Sequence, residues 1–346
     1  MSVELLNFIE TVINGLMSGI MYSLVALGFV LIFKASGVFN FAQGVFALFA
    51  ALTLVGFQTG QVPFSHLINE LFGTNFHNWY PSLHSFFAII LTIITMIVLA
   101  WLIEKLVLKH LVNQEPIILF MATIGLAFVL EGVGDLMWGS DVKVLDVGIP
   151  SGGSEWLEKT TIGWASEGSE YYGMYIDVLN VWATVIAVIL VTALALFSQY
   201  TKTGRALRAV ADDHQAALSV GISLRSIWVL VWAISGFIAM VAGIMWGTES
   251  GVQFSLSLIA LKALPVLILG GFTSIPGAII GGLLIGLGEK LAEIYIGGLL
   301  DIGAIENWFA YFMALVFLLF RPQGLFGDKI IELSLIHISE PTRLSW

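Results

Sequence analysis

The sequence predicts an all-α fold, a polytopic membrane bundle with eight or nine transmembrane helices. Three observations lead there. The chain of 346 residues is 58% hydrophobic and only 11% charged, against about 25% charged residues in soluble domains. Apolar runs long enough to cross a bilayer, which takes roughly 20 residues of helix, recur along the whole length. None of them alternates polar with apolar residues as barrel strands do, so each span must satisfy its backbone as a helix.

The first span is expected over 11–33, behind an N-terminus that carries Glu4 and Glu10 and no basic cluster. No cleaved signal peptide is therefore expected. The second, 38–57, opens with Asn40 and Gln43 three residues apart, between Gly37 and Gly44. Amides inside a membrane segment need partners, which makes both either pathway residues or interhelical glue. The third span, 85–108, ends in Lys105 and Lys109. The fourth, 116–138, carries Glu131 and Asp135 one turn apart near its far end. Ionisable groups in a span point to function by default. This pair could greet an incoming ammonium, or serve as interface acids that reach water beside Trp138.

The fifth and sixth spans are expected at 178–199 and 226–247. Lys262, in a seventh at 258–272, could pair with Glu249 or a pathway carboxylate, or snorkel to water. The segment "GGFTSIPG", with Gly270, Gly271, Pro276 and Gly277, separates it from an eighth at 276–297. That region reads either as a hairpin of two short spans or as one span plus a re-entrant segment, and a last span covers 307–320.

Lys and Arg in short loops set the orientation. Lys34, Lys105, Lys109, Lys202, Arg205, Arg208, Arg225, Arg321 and Lys329 fall on one side if there are nine spans. Loops 58–84 and 248–257 on the other side contain neither residue type. The N-terminus is accordingly expected outside and the C-terminus in the cytoplasm. The formal net charge of -10 is largely local, because 140–177 holds seven acids and two lysines. There are no cysteines, and His66, His77 and His84 are spaced 11 and 7 apart, which fits no metal-ligand pattern. The pairs Gly15/Gly19, Gly243/Gly247, Gly277/Gly281 and Gly282/Gly286 predict closely approaching helices.

Residues 201–222, "TKTGRALRAVADDHQAALSVGI", place five formal charges within twelve residues of an otherwise oily chain. A charge at a span centre costs about 2.5–3.5 kcal/mol, so this stretch belongs in water. Its spacing is helical, with Leu207, Val210, Ala211, His214, Ala217 and Leu218 on one face, Thr203 as N-cap and Gly221 as stop. An amphipathic helix or helix pair between two spans can be a solvated connector, a membrane-surface helix or a docking element for a cytoplasmic partner. No G-x-x-x-x-G-K-[ST] occurs and no Gly precedes a Lys, so the chain binds no ATP through a P-loop.

"QAALSVG", Gln215 to Gly221, resembles the EAA-x-x-x-G loop of bacterial ABC importer permeases, with Gln215 where glutamate is usual. Five ordered blocks resemble the LivH-type permeases of branched-chain amino acid importers. They are "NGLMSGIMYSLVALGFVLIF", "GVFNFAQGVFALFAA", "TGRALRAVADDHQAALSVGI", "LGGFTSIPGAIIGGLLIG" and "FRPQGLFG". Gln43 stands where that family has histidine.

The resemblance implies a non-enzymatic permease subunit that translocates branched-chain or other small apolar amino acids by alternating access. It implies a second, LivM-like permease, two cytoplasmic ATPase subunits that bind ATP and Mg, and an extracytoplasmic solute-binding protein, with no nucleic acid and no cofactor in this chain. The resemblance also implies that 201–222 is an ATPase-coupling helix with contacts from Gly204, Arg205, Arg208, Asp212, Asp213, Gln215, Ala216, Ala217 and Gly221. Asn40, Gln43, Glu131, Asp135 and Lys262 are the expected translocation-pathway residues. Urea or short amides are the alternative solutes, and an ion-driven carrier is the alternative class. Residues 1–332 are expected to form the permease domain, and "LSLIHISEPTR" near the end resembles a translated sequencing adapter, which sets 333–346 apart as non-native.

Overall fold

The computed structural model describes residues 2–61, 63–73, 82–111, 114–150, 152–167, 170–212, 214–301, 303 and 305–327. Every expected span is a helix. In chain order the helices are α1 (Val3–Ser36), α2 (Gln43–Thr59), α3 (Ser65–Phe72), α4 (Ser85–Leu106), α5 (Pro116–Trp138), α6 (Glu155–Thr161) and α7 (Val178–Tyr200). They continue with α8 (Lys202–Asp212), α9 (His214–Ser219), α10 (Leu224–Ser250), α11 (Ile259–Gly270), α12 (Ile275–Leu291), α13 (Gly298–Leu300) and α14 (Glu306–Phe320). A small antiparallel pair, β1 (Ala165–Glu167) and β2 (Glu170–Tyr172), lies in the acidic loop.

Six helices are long and apolar enough to cross a membrane: Val3–Ser36, Ser85–His110, Ile117–Trp138, Val178–Tyr200, Leu224–Ser250 and Ile275–Leu300. The apolar helices Gln43–Thr59, Phe254–Gly270 and Trp308–Phe320 are shorter. The structure is thus a multi-pass helical membrane bundle, in which six helices reach full crossing length.

Two kinds of helix build it. In α1 every residue from Met21 to Ile32 is buried, and in α2 every residue from Gln43 to Gly56. These are central helices wrapped on all sides, together with most of α10. In α4 the buried residues Ala88, Thr92, Met96, Ala100 and Ile103 form one stripe, and Leu179, Ala183, Ala187, Val191, Leu194 and Ser198 do the same in α7. Most of their remaining side chains are apolar and exposed or half-buried, as a lipid-facing surface requires.

The glycine pairs seat against one another. A Cβ added at Gly19 would lie 2.6 Å from the Gly282 carbonyl oxygen, and one at Gly15 would lie 3.1 Å from that of Gly286. Ser23, one turn further along α1, donates to the Ile279 carbonyl at 3.2 Å. Without a hydrophobic drive between helices in lipid, such backbone approach supplies the packing contacts.

Element boundaries follow local chemistry. α1 begins at Val3, eight residues before its expected start, capped by Ser2 Oγ, which accepts from the Leu5 N–H at 3.3 Å. At 34 residues it is about 51 Å long, so its first turns need not lie in hydrocarbon and can carry Glu4 and Glu10. α2 begins at Gln43 rather than 38, because Asn40 Oδ1 accepts from the Ala42 N–H at 3.2 Å and offers the backbone a turn instead of a helix. The "GGFTSIPG" segment is a tight hairpin between α11 and α12, with Ser274 Oγ accepting from Gly277 N–H at 3.1 Å. Segment "FRPQGLFG" folds back on it, the Leu325 and Phe326 N–H groups donating to Leu269 and Gly270 carbonyls at 2.8 and 3.1 Å.

Candidate functional site

At the end of the bundle where α1 begins, α1, α10, α11 and α12 surround a cavity of about 810 Å³. The loop segments at Tyr175–Asp177 and Gly251–Leu258 complete its wall. Asn14, Ser18 and Tyr22 follow Glu10 at four-residue steps down the cavity face of α1. Trp246 and Glu249 come from the last turns of α10, Lys262 from α11, and Lys290 and Glu293 from the end of α12. There the helix widens into a π turn over Ala292–Gly297, an irregularity often found at functional sites.

The deepest charges are paired. Lys262 Nζ lies 3.3 Å from Glu289 Oε1, and the Tyr22 hydroxyl donates to the same oxygen at 3.3 Å. Glu289 is 2% exposed, so its carboxylate needs both partners to offset its desolvation. Lys262 Nζ also stands 5.9 Å above the Tyr22 ring, which stacks on Trp246 at 6.3 Å between centroids and 13° between planes. Nearer the rim, Lys290 and Glu293 pair at 2.7 Å. Glu10 Oε2 accepts from the Tyr175 N–H at 3.1 Å, and Asp177 Oδ1 accepts from the N–H groups of Leu179 and Gly152 at 2.9 and 3.2 Å. Glu249 has no hydrogen bond or ion pair among the described residues, and the charges that act on it are those of Asp177, Lys290 and Lys262. Beyond the cavity, Lys143 N–H and carbonyl bridge to Val252 at 2.9 and 2.7 Å, tying the acidic loop to the end of α10. Burial holds the Lys143 ammonium below its ordinary range, against the opposing pull of Asp141.

The expected pathway residues separate into three groups. Lys262 lines the cavity, and its carboxylate partner is Glu289 rather than Glu249. This ion pair, with its carboxylate buried and its ammonium half-buried, joins the start of α11 to the end of α12. Asn40 and Gln43 are 0% and 1% exposed and lie away from the cavity. Ser235 Oγ donates to Gln43 Oε1 at 2.7 Å and approaches the Gly28 carbonyl at 3.1 Å, while Gln43 Nε2 donates to the Ser235 carbonyl at 3.3 Å. These bonds join α1, α2 and α10, so their geometry is that of interhelical glue. Glu131 is half-buried and Asp135 exposed on α5, which packs on α2 and α3 rather than on the cavity helices. The structure does not bring that pair to the cavity.

At the opposite end, residues 201–222 form two helices, α8 and α9. The cap is Thr201, whose Oγ1 accepts from the Gly204 N–H at 2.9 Å, so the expected cap Thr203 lies inside α8. Gly221, with φ 84°, is the expected stop. The apolar face is corrected more substantially. Leu207, Val210 and Ala217 are 2%, 0% and 2% exposed because α8 lies against α1, α7 and α10 of its own chain. Gly204 is also buried, and a Cβ there would meet the Phe197 and Ser198 carbonyl oxygens at 2.4 and 2.5 Å. The Leu207, Val210 and Ala217 part of that face is therefore spent on the bundle, while Leu218 of the same expected face stays exposed. What faces outward is Lys202, Arg205, Ala216, Leu218 and Val220, while Arg208 donates to the Gln199 carbonyl at 3.3 Å. Asp213 and the side chains of Asp212, His214 and Gln215 lie outside the described residues. Behind this surface Arg225 Nε donates to Glu104 Oε2 at 3.0 Å, fastening the start of α10 to the end of α4.

Tyr22, Trp246, Glu249, Glu289, Lys290 and Glu293 were not singled out from sequence as a site, apart from Glu249 as a partner for Lys262. The signal that could have found the α1 wall is the series Glu10, Asn14, Ser18 and Tyr22, polar groups four apart in an apolar helix.

The family described as "Branched-chain amino acid transport system / permease component" matches residues 11–321. The high-affinity branched-chain amino acid transport system permease protein LivH of Escherichia coli K12 is 27% identical over 343 residues, covering 96% of this chain and 99% of that protein. The corresponding permease protein BraD of Pseudomonas aeruginosa is 26% identical over 338 residues, covering 95% and 99%. A probable branched-chain amino acid transport permease of Methanocaldococcus jannaschii is 28% identical over 310 residues, covering 88% of each.

Proposed function

We propose a complete transport role for this chain, which belongs to the branched-chain amino acid transport system permease family. It is a permease subunit of an ATP-binding cassette importer and not an enzyme. Its solutes are branched-chain or other small apolar amino acids. The observation that carries this reading is the family match running from residue 11 to 321, nearly the whole described chain. The relatives are named for branched-chain amino acids, which leaves urea and an ion-driven carrier without comparable support.

In this mechanism two cytoplasmic ATPase subunits bind ATP and Mg, which a chain without a P-loop does not do. A second, LivM-like permease completes the membrane unit, and an extracytoplasmic binding protein delivers the solute. ATP binding draws the ATPases together, α8 and α9 transmit the movement, and the bundle alternates its opening between the two sides. The contacts Lys202, Arg205, Leu218 and Val220 replace the buried positions Gly204 and Ala217 as the docking surface.

Nine crossings with the N-terminus outside and the C-terminus in the cytoplasm agree with how loops meet. Glu10 meets Tyr175, and Lys143 meets Val252, all at ends that this topology puts outside. Glu104 meets Arg225, and Leu325 meets Leu269, all at ends that it puts inside. The Lys and Arg distribution supports the absolute direction.

The test is uptake of labelled leucine into vesicles that contain the permease pair and its ATPases, supplied with the binding protein. Uptake is expected to require ATP inside the cytoplasmic compartment. Equal uptake without ATP would sink the reading.

A further inference from the structure

We propose that the outer cavity is a binding site for the charged head of a zwitterionic amino acid. Lys262 takes the α-carboxylate, Glu249 takes the α-ammonium, and the stacked rings of Tyr22 and Trp246 receive the side chain. This deepens the transport reading above and rests on it.

The assignment follows from which charges are already committed. Lys290 is engaged with Glu293 at 2.7 Å, the short distance of a well-made charge-assisted bond. The carboxylates of Glu10 and Asp177 accept backbone N–H groups at 2.9–3.2 Å and so hold the cavity wall together. Two groups remain. Among the described residues Lys262 makes one hydrogen bond, to Glu289 at 3.3 Å, and an ammonium has three donors. Glu249 lines the same cavity with no hydrogen bond or ion pair among the described residues. A cation with donors to spare and a carboxylate without a partner, on facing helices of one cavity, match a ligand that carries both charges.

Glu289 is then a positioning residue. Buried behind the lining residues Tyr22 and Lys262, it holds the Lys262 ammonium beside the Tyr22 ring and keeps it from snorkelling to water. The cavity volume, about 810 Å³, lies in the range of small-molecule sites. Its walls also supply the apolar surface of Met21, Leu256 and Ile259 beside the aromatic pair. A simple anion would meet Glu249 and a simple amine would meet Lys262, so each alone is disfavoured.

The experiment uses the purified membrane complex, with partner permease and ATPases but no binding protein, in lipid nanodiscs. Labelled leucine is competed with unlabelled leucine, with 4-methylpentanoate, which lacks the ammonium, and with isoamylamine, which lacks the carboxylate. Leucine is expected to compete at least about tenfold better than either analogue, the scale of one charge-assisted hydrogen bond. Glu249→Gln should abolish the preference over 4-methylpentanoate alone. Lys262→Met should abolish the preference over isoamylamine alone, and Lys262→Arg should retain it. Glu249 is solvent-exposed, so its substitution keeps the test valid should Lys262→Met fail to assemble. Unchanged preferences in Glu249→Gln, in a complex that takes up leucine with ATP, would overturn this site and leave the transport function standing. A wild-type complex that takes up no leucine would instead overturn the transport reading itself.

Discussion

Gly19 of α1 and Gly282 of α12 touch backbone to backbone: a Cβ on Gly19 would lie 2.6 Å from the Gly282 carbonyl oxygen and 2.8 Å from Leu283 Cα. Backbone atoms of a packed helix cannot swing aside as a side chain can. Gly19→Val is therefore expected to force α1 from α12 and to cost at least about 1–3 kcal/mol, read as a lower unfolding temperature in detergent. Gly125→Val is the comparison, since nothing lies within 4 Å of a Cβ there. Equal losses in the two variants would show that close approach is not the cause.

The bonds among Gln43, Ser235 and Gly28 make a second prediction, because they lie in a fully buried interhelical position. A double-mutant cycle with Gln43→Leu and Ser235→Ala should return a coupling of roughly 0.6–1.7 kcal/mol, the range for hydrogen bonds between membrane helices. A coupling of zero would remove the glue assignment and return Gln43 to the pathway.

For the Lys262–Glu289 pair, the expected result is asymmetric. Lys262→Met takes the cation away from a carboxylate that is 2% exposed, and should cost roughly 2 kcal/mol. Combining it with Glu289→Met removes the buried charge as well, and most of the stability should return. Thermal unfolding of the two variants decides this, and a double variant no better than the single one would contradict it.

Helices α8 and α9 allow a test that separates folding from docking. Leu218 and Val220 are 52% and 74% exposed, whereas Leu207 is 2% exposed. Leu218→Glu and Val220→Glu should weaken co-purification of the ATPase subunits at an unchanged unfolding temperature. Leu207→Glu should lower the unfolding temperature, as burying a charge against α1, α7 and α10 is costly. If Leu207→Glu left stability intact and lost only the ATPases, the apolar face of α8 would belong to the partner after all.

The apolar runs that predict eight or nine spans are helical, six helices among the described residues reaching crossing length, and the break at "GGFTSIPG", the stop at Gly221 and the close-packing glycines fall where the residues put them. The site was less legible. Lys262 was visible as a cation in an oily run, but Glu289 sits 27 residues away on another helix. Glu131 and Asp135 looked equally functional, and only the position of α5 beside α2 and α3 separates them from the cavity. In α8, periodicity identified an apolar face correctly and could not say whether it was for a partner or for the chain itself.

Local properties account for that division. Hydropathy, helical spacing, glycine pairs and the placement of Lys and Arg act along the chain, so they determined the class of protein, its helices and its family resemblance. The side of a membrane helix that faces the core is different. In α4 and α7 most residues are apolar on every face, lipid and protein interior being equally oily, and little hydrophobic contrast distinguishes the buried stripe from the exposed one. Only the tertiary structure decided which helices are central, which charges meet in the cavity where α1 begins, and which face of α8 and α9 is left exposed.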